Sequence, residues 1–290
     1  MTDAEPGAPG KPARLGADFG TRVVSAIVMA AVVLGITWFG GWPFAILAII
    51  GSGILLWEWG GMTGGPTTGT VLWVQCATVA GMIVSIMLPV LWIGLLPLWS
   101  VVWTAGAVLL VWLAREENRE DALVGLVYIS LPALALVWFR NDPSYGLVAV
   151  LFLFVVVWGT DILAYVCGRY FGGPKLWPAV SPKKTWSGAI GGTTAAVVGG
   201  VLVGAMVPDA SLLRIAFVAL ILSIISQIGD LAESAIKRHY DIKDSSGLIP
   251  GHGGLLDRVD GLLFATFAAG LFVLVAGPAA VPGKTLLVSG

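Results

Sequence analysis

The chain has 290 residues, of which 57% are hydrophobic and 11% charged, with a formal net charge of −1. An ordinary soluble domain carries about 25% charged residues, and a single soluble core stops growing near roughly 250–300 residues. The composition therefore excludes a soluble globular protein, while the net charge says nothing about a partner; for most of the chain the solvent is lipid. Cys76 and Cys167 both lie in apolar runs, so they read as packing residues and not as a disulfide framework or a metal motif.

Residues 1–21, rich in Pro, Gly and Ala, read as a disordered cytosolic tail. A membrane helix needs about 20 mostly apolar residues. Apolar runs between turn signals predict about nine such helices, at 22–40, 43–59, 70–88, 90–113, 122–139, 146–168, 187–207, 211–229 and 261–277. The breaks carry turn residues or charge: Gly40-Gly41-Trp42-Pro43, Gly64-Gly65-Pro66, Arg115 to Asp121, and Arg140-Asn141-Asp142-Pro143. The expected fold is an all-α integral membrane protein, a polytopic bundle. Residues 22–145 supply the N-terminal transmembrane helices. Residues 146–290 form a C-terminal catalytic part with cytosolic loops at 168–187 and 230–260.

Placing the N-terminus in the cytosol puts all of the 16 Lys and Arg on that side except Arg140, Arg214 and Lys284. That is the asymmetry of the positive-inside rule. The expected location is the cell membrane, with several passes and with the active-site loops cytosolic.

Two of these loops concentrate polar chemistry. In 168–188, Arg169, Lys175, Lys183 and Lys184 occur without an acidic residue. Ser181-Pro182-Lys183-Lys184-Thr185 joins two cations and two hydroxyls just before a helix, a combination suited to phosphate. A plain basic loop held inside by topology is the simpler reading of the same charges. The second loop, from Gln227 to Gly261, holds six carboxylates and both histidines. Asp230, Glu233, Ser234 and Lys237 fall at i, i+3, i+4 and i+7, so they share one helix face; Asp257 and Asp260 are also i, i+3. Gly251-His252-Gly253-Gly254 lets backbone approach a ligand closely. Asp161 lies inside the sixth apolar run with Tyr165 and Arg169 on its face. It reads either as a structural Asp–Arg pair or as part of a polar cavity, since ionisable groups at membrane depth are costly and usually functional.

Oxygen ligands without a His/Cys cluster indicate Mg²⁺ and not zinc. No Walker A, GxSxG or HExxH sequence is present. The residues alone thus reach metal-dependent phosphoryl or nucleotidyl transfer at the cytosolic face.

At these positions the chain resembles the phosphatidate cytidylyltransferase (CDP-diacylglycerol synthase) family. The matching residues are Ser234, Lys237, Arg238, Lys243, Asp244, Pro250, His252, Gly253, Gly254, Asp257, Arg258 and Asp260, with QIGDLAES and SPKKTW upstream. Ser187 and Gly261 stand where the family usually has Glu and Ser. The resemblance implies that CTP and phosphatidic acid give CDP-diacylglycerol and pyrophosphate, with Mg²⁺ and room for a second, monovalent cation. It implies Asp230, Asp244, Asp257 and Asp260 as metal ligands. Lys183, Lys184, Lys237, Arg238, Lys243 and Arg258 are expected on phosphates. Asp161, Arg169, Ser181, Thr185, Gly253 and Gly254 complete the expected substrate site, and His252 is left between orienting a phosphate and acting as an acid. The expected partners are CTP, phosphatidic acid and the lipid bilayer; a homodimer is compatible and no nucleic acid is expected. Two rivals stand beside this reading. One is a CTP-dependent lipid-alcohol kinase, which would not need the full motif. The other is a transporter using Asp161 and Asp230, which would show polar helix breaks in both halves.

Overall fold

The computed structural model describes residues 15–65, 67–88, 92–93, 96–115, 118–208, 210–249, 253–278 and 280–288. The chain runs α1 (Leu15–Phe39), α2 (Gly41–Thr63), α3 (Thr70–Met87), α4 (Leu98–Leu113), α5 (Arg119–Arg140) and α6 (Gly146–Phe171). Then follow α7 (Trp186–Gly204), α8 (Leu212–His239), α9 (Leu256–Ala276) and the short α10 (Pro282–Leu287). Strand β1 (Trp92–Ile93) pairs antiparallel with β2 (Leu96–Pro97), and β3 (Lys175–Trp177) with β4 (Ser181–Thr185). Helices α1 to α9 each overlap one of the nine expected spans, α4 starting only at Leu98 because β1 and β2 occupy the beginning of the fourth. Among the described residues, seven (α2, α3 and α5 to α9) are long and apolar enough to cross a membrane. Val24–Phe39 of α1 and Ser100–Leu113 of α4 are apolar as well. The protein is an all-α polytopic membrane protein.

Three boundaries differ from the expectation. Helix α1 already runs at Leu15, inside the segment read as a tail; residues 1–14 lie outside the described residues. The 168–187 segment is an extension of α6 followed by the β3–β4 hairpin. The 230–260 segment is helical at both ends, as α8 reaches His239 and α9 starts at Leu256, which leaves 240–255 as the connection. The polar i, i+3, i+4, i+7 face continues α8 because Leu231, Ala232, Ala235 and Ile236 keep supplying helix formers between the charges.

Lipid tails are as apolar as leucine, so helices here associate through close packing and internal hydrogen bonds. Helix α7 buries Gly188, Gly192, Ala196, Gly200 and Gly204, one stripe at every fourth residue. A Cβ on Gly192 would come 2.5 Å from the Thr160 carbonyl of α6, so only glycine permits that backbone approach. Between α6 and α8 the Thr160 and Ser223 hydroxyls lie 2.7 Å apart, and Gln227 Nε2 of α8 donates to Thr193 Oγ1 of α7 at 2.9 Å. The N-terminal helices α2 to α5 pack on one another, and α5 joins them to α9 and α6. Ile190, Leu202, Leu213, Leu274 and Val275 are exposed on the outer surface, where lipid covers them.

Candidate functional site

The polar ends of α6, α8 and α9, the β3–β4 hairpin and the 240–255 connection come together. They form an arc of carboxylates interleaved with cations. At one end lies Asp161 of α6, ten residues or about 15 Å of helix rise from the end at Phe171, yet exposed. Asp161 shares this exposed surface with Ile162 and Tyr165. Asp230, Lys184 and Arg258 are all within electrostatic range of it. Arg169 donates to Tyr165 Oη at 2.9 Å, so the expected shared face exists, with Arg169 bonded to the tyrosine.

Asp230 of α8 forms an ion pair with Lys184, which β4 carries to it. Lys184 alternates with exposed Lys183 along the strand, so one lysine turns toward the carboxylates and the other toward solvent. Ser181 begins the strand, and its position is half-buried. Thr185 is buried as the N-cap of α7, and its Oγ1 accepts the Gly188 N–H at 3.2 Å. Thr185 thus caps α7. Ser187 donates to the Gly172 carbonyl at 2.5 Å and closes the base of the hairpin.

One turn beyond Asp230, Glu233 is 1% exposed and its carboxyl group reaches that of Asp260 in α9. Among the described residues, Glu233 Oε1 meets no hydrogen-bond donor. Two buried carboxyl groups in contact need a proton or a cation between them. Lys237 is half-buried between Glu233 (3.1 Å) and Asp257 (2.6 Å). Asp257 also accepts the Ser245 N–H at 3.0 Å, the Ser245 hydroxyl at 3.1 Å and the Gly254 N–H at 2.8 Å. Lys237 and Asp257 thus clasp the 245–254 connection to α8 and α9.

The glycines of the motif follow from this clasp. Gly253 has φ +82°, and a Cβ there would meet Asp257 Oδ2 at 2.8 Å. A Cβ on Gly254 would meet Glu58 Oε1 at 2.7 Å. The close backbone approach expected toward a ligand is here an approach to the chain's own carboxylates. Asp244, Lys243, Arg238 and Arg258 are exposed around the rim, and Arg238 also donates to the Ile242 carbonyl at 2.9 Å. His252 and Pro250 lie outside the described residues. Tyr240, just past α8, donates to Asp121 Oδ1 at 2.7 Å. That bond pushes the phenol up to about 12, so it stays a protonated donor and ties α8 to α5.

Sequence reasoning missed Glu58. It is the buried carboxylate of α2 that bonds Ser246, Leu255 and Leu256 of this connection. A lone Glu between two tryptophans carries no motif, and its partners are nearly 200 residues away. The available signal was its charge inside an apolar span.

Among the described residues no three carboxylate, imidazole or thiolate groups converge as a ready-made cage. The Glu233–Asp260 contact, with its unsatisfied oxygen, nevertheless suits a cation. Magnesium commonly takes one or two carboxylates and completes its shell with water and substrate phosphate, so this all-oxygen set fits it.

Carboxylates and lysines gathered at the helix ends beside a basic hairpin, in a polytopic membrane protein, are the marks of a membrane enzyme acting on phosphate groups. The model of the cytidylyltransferase family matches residues 20–276, and the chain belongs to that family. A phosphatidate cytidylyltransferase from Brucella suis biovar 1 (strain 1330) is 43% identical over 263 residues, covering 90% of this chain and 96% of that protein. Another, from Staphylococcus haemolyticus (strain JCSC1435), is 33% identical over 255 residues, covering 84% and 94%. A third, from Bacillus subtilis (strain 168), is 43% identical over 140 residues, covering 48% and 52%.

Proposed function

We propose that this protein transfers the cytidylyl group of CTP to phosphatidic acid, giving CDP-diacylglycerol and pyrophosphate. The observation that carries the reading is the Lys184–Asp230 ion pair, with Asp161 of the membrane helix α6 within electrostatic range of both. A phosphate carried on a lipid can reach this cluster from the bilayer while a soluble nucleotide arrives from the exposed cations.

The lipid phosphate is already a nucleophile at neutral pH, so the chain need only align it with the α-phosphorus and offset charge. An oxygen of phosphatidic acid forms the new bond to that phosphorus, and the bond to the β-phosphate oxygen breaks, releasing pyrophosphate. Lys183, Lys243, Arg238 and Arg258, exposed at the rim, guide and hold the triphosphate. Lys184 pairs with Asp230, where the lipid phosphate competes for it. Asp230 and Asp260, with the Glu233 oxygen beside Asp260, would hold Mg²⁺, and Asp244 is an exposed loop carboxylate that would join them; Mg²⁺ would there neutralise the phosphates. Asp257 contributes by holding the connection that carries Asp244. The same charge distribution supports a cell-membrane location with the site on the cytosolic side.

Purified protein supplied with Mg²⁺ and CTP should consume phosphatidic acid and leave a lipid alcohol untouched. Product formed only with the lipid alcohol would make the chain a kinase and overturn the reading.

A further inference from the structure

The carboxylate arc belongs to the C-terminal half, and one residue of the N-terminal half reaches under it. Glu58 lies one turn before the end of α2 and is 1% exposed. Its Oε1 accepts the Leu255 N–H at 2.8 Å and the Ser246 hydroxyl at 2.6 Å. Its Oε2 accepts the Leu256 N–H at 2.6 Å and the Ser245 hydroxyl at 3.4 Å. The first amides of a helix have no partner within it, and Leu255, at the cap position of α9, brings no side-chain cap. Glu58 supplies that cap from another helix, with negative charge at the positive end of the α9 dipole.

The two-point geometry matters. One carboxylate oxygen on each of two consecutive amides fixes the rotation of the first turn as well as its height. Asp257 lies one residue past Leu256, and Asp260 one turn further. A rotation of that turn would swing both carboxylates, break the Lys237–Asp257 bond and change the approach of Asp260 to Glu233. The glycine at 254 serves the same contact, because any side chain there would run into Glu58.

We infer that Glu58 is a positioning residue for cytidylyl transfer: it locks the first turn of α9 so that the Asp257 clasp and the Asp260 carboxylate stand where the reaction needs them. This rests on the function proposed above. Glu58→Gln tests it with little change in shape, since the amide presents an N–H₂ group to a site built for acceptors only.

The experiment uses the full chain in detergent, with the exposed Glu120→Gln as control. It reads the melting temperature, kcat per folded protein, the Mg²⁺ concentration at half-maximal rate, and backbone amide exchange over 244–257. Glu58→Gln should fold, lose about 10–10²-fold in kcat and need more Mg²⁺, the scale of losing an outer partner of a metal site. Exchange over 244–257 should quicken while that of α2 stays slow. If the variant does not fold, Ser246→Ala, which removes one donor to the same carboxylate, takes its place and should shift Mg²⁺ dependence in the same direction. Unchanged kcat and Mg²⁺ dependence would overturn the inference. So would a loss of activity matched by loss of folded protein alone, which marks a purely structural residue. A wild-type chain that makes no CDP-diacylglycerol would overturn the functional reading itself. The exchange measurement would then still decide whether Glu58 anchors α9, unchanged protection refuting the anchor too.

Discussion

Within the motif, residues of the same charge have different surroundings and so different tasks. Asp257 has both oxygens occupied by Lys237, Ser245 and Gly254, whereas Asp244, on the same connection, is exposed. A carboxylate open to solvent at a phosphate site is free to meet a cation with the substrate. Asp244→Asn keeps the shape and removes the charge, so kcat should fall about 10²-fold or more, equivalent to roughly 2.7 kcal/mol. Helix content should hold. If Asp244 merely joins the surface charge, the substitution should cost about 0–1 kcal/mol of stability and leave turnover intact. The sequence displays these residue types and their spacing, which is enough to collect Lys237, Asp244, Asp257 and Asp260 as one set. It does not display which carboxylate is saturated, because that depends on the Ser245 and Gly254 amides folding back over Asp257. Nor does the Ser-Pro-Lys-Lys-Thr run show that Thr185 is spent as a helix cap.

At the scale of the elements, the long apolar helices were legible because lipid imposes length and composition directly on each segment. The extension of α8 past residue 229 was legible as periodicity even though the charges suggest a loop. The short α10 was not, since six residues carry too little pattern, and its ends are held by distant groups. Asp142, by sequence a turn residue between α5 and α6, is 4% exposed. Its Oδ1 accepts the Ser144 and Tyr145 N–H groups at 2.9 Å each, and its Oδ2 accepts those of Gly283 and Lys284 at 3.0 and 3.3 Å. Arg214 of α8 donates to the Thr285 and Val288 carbonyls at the other end of α10. Asp142→Asn sets an N–H₂ group against backbone donors. It should cost about 1–3 kcal/mol, read as a lower melting temperature, with kcat of the folded protein unchanged. A wild-type melting temperature would show that α10 does not depend on this cap.

At the scale of the whole molecule, the two halves divide the labour. Helices α2 to α5 give few polar groups, but Glu58 and Asp121 reach the connection and the end of α8. Helices α6 to α9 carry the carboxylate arc. The basic hairpin and the Arg140–Asp142 turn stand at opposite ends of α6, which makes sidedness testable. A cysteine at Ser181 should react with an impermeant reagent only from the cytosolic side, and one at Asn141 only from the other. Swapped labelling would contradict the cytosolic site.

The central claim is that the lipid phosphate attacks the α-phosphorus of CTP. Following separate α- and γ-phosphorus labels tests it most directly. With phosphatidic acid, Mg²⁺ and purified protein, the α-label should enter the lipid fraction and the γ-label should leave as pyrophosphate in equal amount. Transfer of the γ-label to lipid, with the α-label remaining on soluble CDP, would contradict the account.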